Sequence, residues 1–143
     1  MKQKVVVFKD LDVNEPELDV IKDKNLSESQ LIIFNKIKED LINTMQKEKP
    51  YLEQDLSIYT LAKKLNTNSK YLSQIINQHF DKSFVHFINE YRVEEAKEVL
   101  LKDTNYTIEA QSHMVGFKSK SAFNIAFKRH TGLTPSRFIQ ENK

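Results

Sequence analysis

Apolar residues recur at intervals of three and four along most of the chain. Leu31, Phe34, Ile37, Leu41 and Met45 form the first such series, the pattern of an amphipathic helix. Ser27 followed by Gln30 has capping-box spacing, in which each side chain satisfies a backbone N–H at the helix start, so a helix is predicted over about 28–47. Pro50 ends it, because the residue before a proline is driven out of helical geometry. Shorter periodic runs follow, each beginning at a Ser, Thr or Asn whose oxygen can accept a first-turn N–H. Ser57 precedes IYTLAKKL, Asn68 precedes SKYLSQIINQHF, Thr107 precedes IEAQSHMV, and Ser119 precedes KSAFNIAFKRH. Ser83 precedes a longer run with Phe84, Phe87, Ile88, Tyr91, Ala96, Val99 and Leu100 along one stripe, and Thr134 with Pro135 starts a last short helix. Gly116 and Gly132 read as left-handed helix stops. Residues 1–26 alternate acids with short apolar runs around Pro16 and hold no period, which predicts a linker or arm with a brief strand at Val5–Phe8. The fold class is therefore all-α.

Part of the pattern occurs twice. Ser57, Ile58 and Leu65 match Thr107, Ile108 and Val115 at a separation of fifty; after one inserted residue, Leu72, Ile76, His79 and Ser83 match Phe123, Phe127, His130 and Thr134 at fifty-one. Each copy is a short capped helix, a tight connection and a second capped helix, the layout of a helix-turn-helix. In the first copy Lys70, Ser73, Gln74 and Asn77 share one face of the second helix, opposite Leu72, Ile75 and Ile76. In the second, Lys120, Ser121, Asn124 and Lys128 share it, opposite Ala122, Phe123, Ala126 and Phe127.

Charge placement changes what this repeat implies. The chain carries only +2 overall, yet Leu56 to Phe80 holds three lysines and no acid, and Ala110 to Gln140 holds five Lys/Arg and no acid, leaving −6 for the rest. A basic island is ordinarily a solvated face, but two of them on the second helices of a repeated helix-turn-helix fit DNA, whose phosphates would repel a carboxylate there. The run from about 84 to 102 predicts a helix of roughly 30 Å. That is close to the ~34 Å between successive major-groove faces on one side of a duplex, so one chain could carry two reading helices.

The chemistry of other functions is missing. The chain has no cysteine, which removes disulfides, thiolate metal sites and thiol nucleophiles. His79, His86, His113 and His130 lack metal-ligand spacing, and two glycines cannot build a phosphate-cradling loop. Neither enzymatic activity nor a cofactor or metal is expected. The basic residues are not interleaved with a stacking surface of aromatics, which argues against RNA. No window has the ~18 apolar residues of a membrane span, so this segment is expected to make no membrane contact. The alternative is a helical protein-interaction or dimerisation module of a signalling protein, built on the acidic arm and the first helix.

The stretch VGFKSKSAFNIAFKRHTGLTPSRF resembles the signature of the C-terminal DNA-binding domain of AraC/XylS-type transcriptional regulators, and LAKKLNTNSKYLSQIINQHFDKSFVHFINEYRVEEAKEVL is similar to that family's first unit and linker helix. The resemblance implies two homeodomain-like helix-turn-helix subdomains within 51–143. Unit one would span 56–82, a linker helix 83–103, unit two 107–131 and a final helix 134–141, after an arm (1–26) and an amphipathic helix (27–50). It implies sequence-specific binding of double-stranded DNA and transcription regulation. The family's base-reading positions fall on Lys70, Ser73, Gln74, Lys120, Ser121 and Asn124; Lys63, Asn77, Lys118, Lys128 and Arg129 are expected on phosphates. Two departures matter. Ile125 stands where some members carry arginine, which removes any guanine contact from that position. Gln111 and Ser112 put polar groups where the family packs apolar ones, which predicts a looser second unit or an outward Gln111. The segment before Leu61 is similar to the junction at which such domains end large membrane-bound sensors of Bacteroidetes-type bacteria. An upstream sensor, RNA polymerase and a second copy of the full-length protein are then candidate partners, and the location is cytoplasmic or tethered beneath the inner membrane.

Overall fold

The computed structural model describes residues 27–143; the arm and strand expected over 1–26 lie outside them. Seven α-helices follow in order: α1 (Glu28–Lys47), α2 (Ile58–Lys64), α3 (Ser69–Phe80), α4 (Phe84–Leu100), α5 (Ile108–Met114), α6 (Lys120–Thr131) and α7 (Pro135–Asn142), with a 3₁₀ turn at Pro50–Leu52. The described residues contain no strand. Every helix starts where the sequence puts a cap. Ser27 and Ser57 make capping boxes with Gln30 and Thr60. Asn68 Oδ1 accepts from Tyr71 N at 2.8 Å and Ser83 Oγ from His86 N at 3.2 Å. Thr107, Ser119 and Thr134 cap α5, α6 and α7 in the same way. Each cap satisfies a donor the helix itself cannot, a gain of about 1 kcal/mol.

The chain divides into two compact units. The first contains α1, α2, α3 and the start of α4 up to Phe87. Along α1, Phe34, Ile37, Leu41 and Met45 are buried, while Leu31, expected in the same stripe, faces solvent. Phe34 and Ile37 pack on Ile75 and Tyr71 of α3, with the Phe34 and Tyr71 rings edge-on at 5.4 Å. Leu61 of α2 and Leu72 and Ile76 of α3 are fully enclosed.

The second unit comprises the turn 50–56 and residues 88–143. Val93, Ala96 and Leu100 of α4 bury against Val115, Phe117, Phe123, Ala126 and Phe127. A run of rings, Phe117, Phe123, Phe127 and Phe138, meets in tilted and edge-to-face contacts at centroid spacings of 5.2, 5.5 and 5.3 Å and fixes α6 and α7 in that core.

The repeat extends to individual backbone bonds. Thr67 N donates to Ala62 O at 2.9 Å, and fifty residues later Phe117 N donates to Ser112 O at 3.0 Å. Both turns pass through a left-handed residue, Asn66 (φ 59°) in one and Gly116 (φ 103°) in the other. The second helices end on left-handed residues too, Asp81 (φ 57°) and Gly132 (φ 82°). Helix α4 has 17 residues and so measures about 25 Å. It is shorter than the expected run to about 102, because the helix ends with its apolar stripe at Leu100 and Leu101 falls in the turn that follows.

Candidate nucleic-acid interface

Helix α6 presents the more accessible of the two expected reading faces. Its inner side holds Phe123, Ala126 and Phe127; Lys120, Ser121, Ile125, Lys128 and Arg129 are exposed and Asn124 is half-buried. Ala122 is exposed as well, contrary to the expectation that it packs inward. At 100° per residue it falls one step outside the Phe123–Phe127 stripe, on the side shared with Ile125 and Arg129. Lys128, Arg129 and His130 occupy the last turn, where the helix dipole alone favours cations. Lys120 and Ser121 at the other end gain nothing from the dipole, so it does not account for the whole basic face. Lys118, just before the helix, lies 3.7 Å from Asp55 Oδ1, an exposed pair of small energy that leaves the lysine available.

The equivalent face of α3 is closed. Residues 72–77 are all buried, so the middle of this helix is enclosed all round rather than along one stripe. Ser73 and Asn77 are 2% exposed and Gln74 0%. The open polar face expected from the spacing of Lys70, Ser73, Gln74 and Asn77 is therefore not what the structure presents. Gln74 Oε1 accepts from Gln78 Nε2 at 3.1 Å, but Gln74 Nε2 and Asn77 Oδ1 are buried without a partner. Each such group costs about 1–3 kcal/mol, a penalty that exposure to water or to a base edge would relieve. Lys70 at the start of α3 is half-buried, and Lys63 on α2 is exposed. Burial, and secondarily the charge of Lys38, lowers the pKa of His79 in the last turn of α3.

Three features that position α6 were not recognised in the sequence. Arg92 of α4 donates from Nε to Tyr51 O at 2.6 Å and from Nη2 to Glu53 O at 2.9 Å, and lies 5.7 Å from the centroid of the Phe117 ring. Burial lowers the pKa of this guanidinium, which at its high intrinsic value stays charged. Gly116 is more than a helix stop: a Cβ there would run into Tyr51 O and the Arg92 guanidinium. Tyr51 Oη in turn donates to Glu95 Oε1 at 3.2 Å, and burial together with that carboxylate pushes the phenol pKa up. A lone arginine on the half-polar side of a helix gives no sequence signal of its carbonyl partners some forty residues away.

Gln111 and Ser112 also depart from expectation. Both are buried, and both are paired. Gln111 Nε2 donates to Val99 O at 3.3 Å, taking up a carbonyl from the last turn of α4, and Ser112 Oγ donates to Glu109 O at 2.6 Å. Gln111 thus points inward, and the desolvation cost expected of an unpaired amide does not arise.

Among the described residues no three His, Asp or Glu side chains group as metal ligands, and no helix is long and apolar enough to cross a membrane.

Known proteins share this arrangement. A family model described as a helix-turn-helix domain matches residues 61–141, more than half of the chain. The Msm operon regulatory protein of Streptococcus mutans is 34% identical over 86 residues, which cover 60% of this chain and 31% of that protein. The chain thus spans about a third of the length of that protein and of the raffinose operon transcriptional regulatory protein of Pediococcus pentosaceus, to which it is 32% identical over 92 residues. Among solved structures, the C-terminal domain of AraT, a response regulator from Geobacillus stearothermophilus, matches with a TM-score of 0.62 and 28% identity over 77% of this chain and 85% of that one. An AraC-type DNA-binding-domain regulator from Chromobacterium violaceum has the same fold, with a TM-score of 0.63 at 20% identity over 75% and 91% of the two chains. With two capped helix-turn-helix copies, a long helix between them and this family match, the chain belongs to the AraC-type helix-turn-helix family of DNA-binding transcription regulators.

Proposed function

We propose that this chain reads double-stranded DNA first through the outward face of α6. Lys120, Ser121 and Asn124 contact base edges there, while Lys128, Arg129 and Lys118 hold phosphates. The observation that carries the reading is that α6 is capped, rigidly seated by aromatic rings, and exposes basic and small polar side chains in a stretch free of acids. Helix α3 supplies the second head, with Lys70, Ser73 and Gln74 on bases and Lys63 and Asn77 on phosphates, once its enclosed face is bared. The two heads would then take successive major grooves.

The share of its relatives that the chain spans supports a further step, that it is the output domain of a larger regulator. Its partners would be an upstream sensor, a second copy and RNA polymerase, and its site of action the cytoplasm or the inner face of a membrane. A full-length dimer would raise the local concentration of the reading heads without any new contact. The exposed Leu31, Ile32 and Ile33 of α1 favour a second role, pairing with a copy or an upstream segment. Such pairing would hardly respond to salt.

Selection from a random duplex library, followed by a salt titration on the winning sequence, tests the proposal. An enriched site whose affinity falls steeply with salt is expected, with two short elements about one helical turn apart if both heads engage. Absence of enrichment together with salt-insensitive self-association would replace DNA reading by the pairing role.

A further inference from the structure

Ile125 is 71% exposed, more than any other large apolar side chain among the described residues, and it sits at the centre of the basic face of α6. Ser121 and Ala122 lie four and three positions before it and Lys128 and Arg129 three and four after it, the spacings that place helix residues side by side. All four neighbours are exposed. Nothing in the core requires an isoleucine here, since the inner side of the helix is filled by Phe123, Ala126 and Phe127. From the face identified above as the reading surface, we infer that Ile125 is a specificity-determining residue that recognises thymine by its 5-methyl group.

Isoleucine neither donates nor accepts a hydrogen bond, so it cannot read the nitrogen and oxygen pattern of a base edge. The C5-methyl of thymine is the apolar group that the major groove offers. The flanking side chains select the occupant: Lys120, Lys128 and Arg129 would repel the same face of a second copy, whereas duplex DNA brings phosphates to the cations and a methyl to the isoleucine. Branching at Cβ restricts the rotamers of Ile125, so little freedom is lost when it packs. Ala122, on the same side, leaves space beside it for a base edge.

The inference rests on DNA reading by α6, and the test separates the two. In the enriched duplex, each thymine is replaced in turn by deoxyuridine, which deletes the methyl and nothing else. Binding is measured for the natural chain and for Ile125→Ala, an exposed substitution whose folding is checked by its thermal midpoint. One uridine position, or two adjacent ones, is expected to weaken the natural chain about threefold to fivefold, the effect of removing one buried methyl. Ile125→Ala is expected to lose a similar factor on the thymine site, to be indifferent to that uridine, and to bind unrelated DNA as before. A site that lacks thymine, a natural chain indifferent to uridine throughout, or an Ile125→Ala variant as sensitive as the natural chain would overturn the role of Ile125 while leaving DNA reading intact. Failure to enrich any site would overturn both.

Discussion

Arg92 and Gly116 carry much of what holds the second reading helix in place. Arg92 bonds two carbonyls of the 50–56 turn and covers the Phe117 ring, and Phe117 in turn packs on Phe123 of α6. Arg92→Ala would leave the Tyr51 carbonyl without its charged donor and is expected to lower stability by about 2–3 kcal/mol in a denaturant titration. Arg92→Lys should recover little, because a single ammonium cannot reproduce the planar fork. The two glycines separate strain from crowding. Both have positive φ, but a Cβ at Gly132 would meet nothing, whereas at Gly116 it would meet Tyr51 O and Arg92. Gly132→Ala should therefore cost only the left-handed penalty of about 1–2 kcal/mol, and Gly116→Ala clearly more. Equal losses of thermal midpoint would show that the close approach at Gly116 is not maintained.

The two second helices are built alike and displayed differently. Ser121 of α6 is exposed, while Ser73 of α3 is 2% exposed. Because the chain has no cysteine, Ser73→Cys and Ser121→Cys each introduce a single thiol of nearly the same size. The thiol at 121 is expected to react with a maleimide at the rate of a free cysteine and the thiol at 73 at least about tenfold more slowly, since burial also suppresses the thiolate. Similar rates at both sites would mean that the face of α3 is open in solution. Helix boundaries were legible in the sequence because caps are local: an oxygen three residues before an N–H settles where a helix starts. The repeat was legible for the same reason, and so were the left-handed stops at Gly116 and Gly132, whereas the left-handed Asn66 and Asp81 of the first copy gave no glycine to mark them. Enclosure of Ser73, Gln74 and Asn77 was not, since short polar side chains at regular spacing look alike whether they face water or protein. Gln111 misled in the opposite sense. An amide on an apolar stripe suggests an outward turn, but the unpaired carbonyls ending the preceding helix offered a partner that periodicity does not reveal.

Across the whole molecule, the charge islands turn the question of one head or two into a measurable slope. Each phosphate neutralised in B-DNA contributes about −0.9 to the dependence of log affinity on log salt. In the second unit Arg137 is held 3.0 Å from Glu141, while the exposed 3.7 Å pair of Lys118 with Asp55 leaves that lysine available, so Lys118, Lys128 and Arg129 are the phosphate-holding set. A chain that engages DNA through α6 alone is then expected to give a slope of about −3, and one that also brings Lys63 to the backbone about −4. Lys128→Ala should make either slope shallower by about 1 and weaken all sequences alike, while Asn124→Ala should leave the slope unchanged and relax preference at one base pair. The steeper slope should appear only under conditions in which the thiol at position 73 has become reactive, because the same opening that bares Ser73 and Gln74 lets α3 reach the duplex. A slope near −4 with that thiol still protected would mean that Lys63 reaches a phosphate from the enclosed arrangement, and that the first unit anchors the domain without reading sequence.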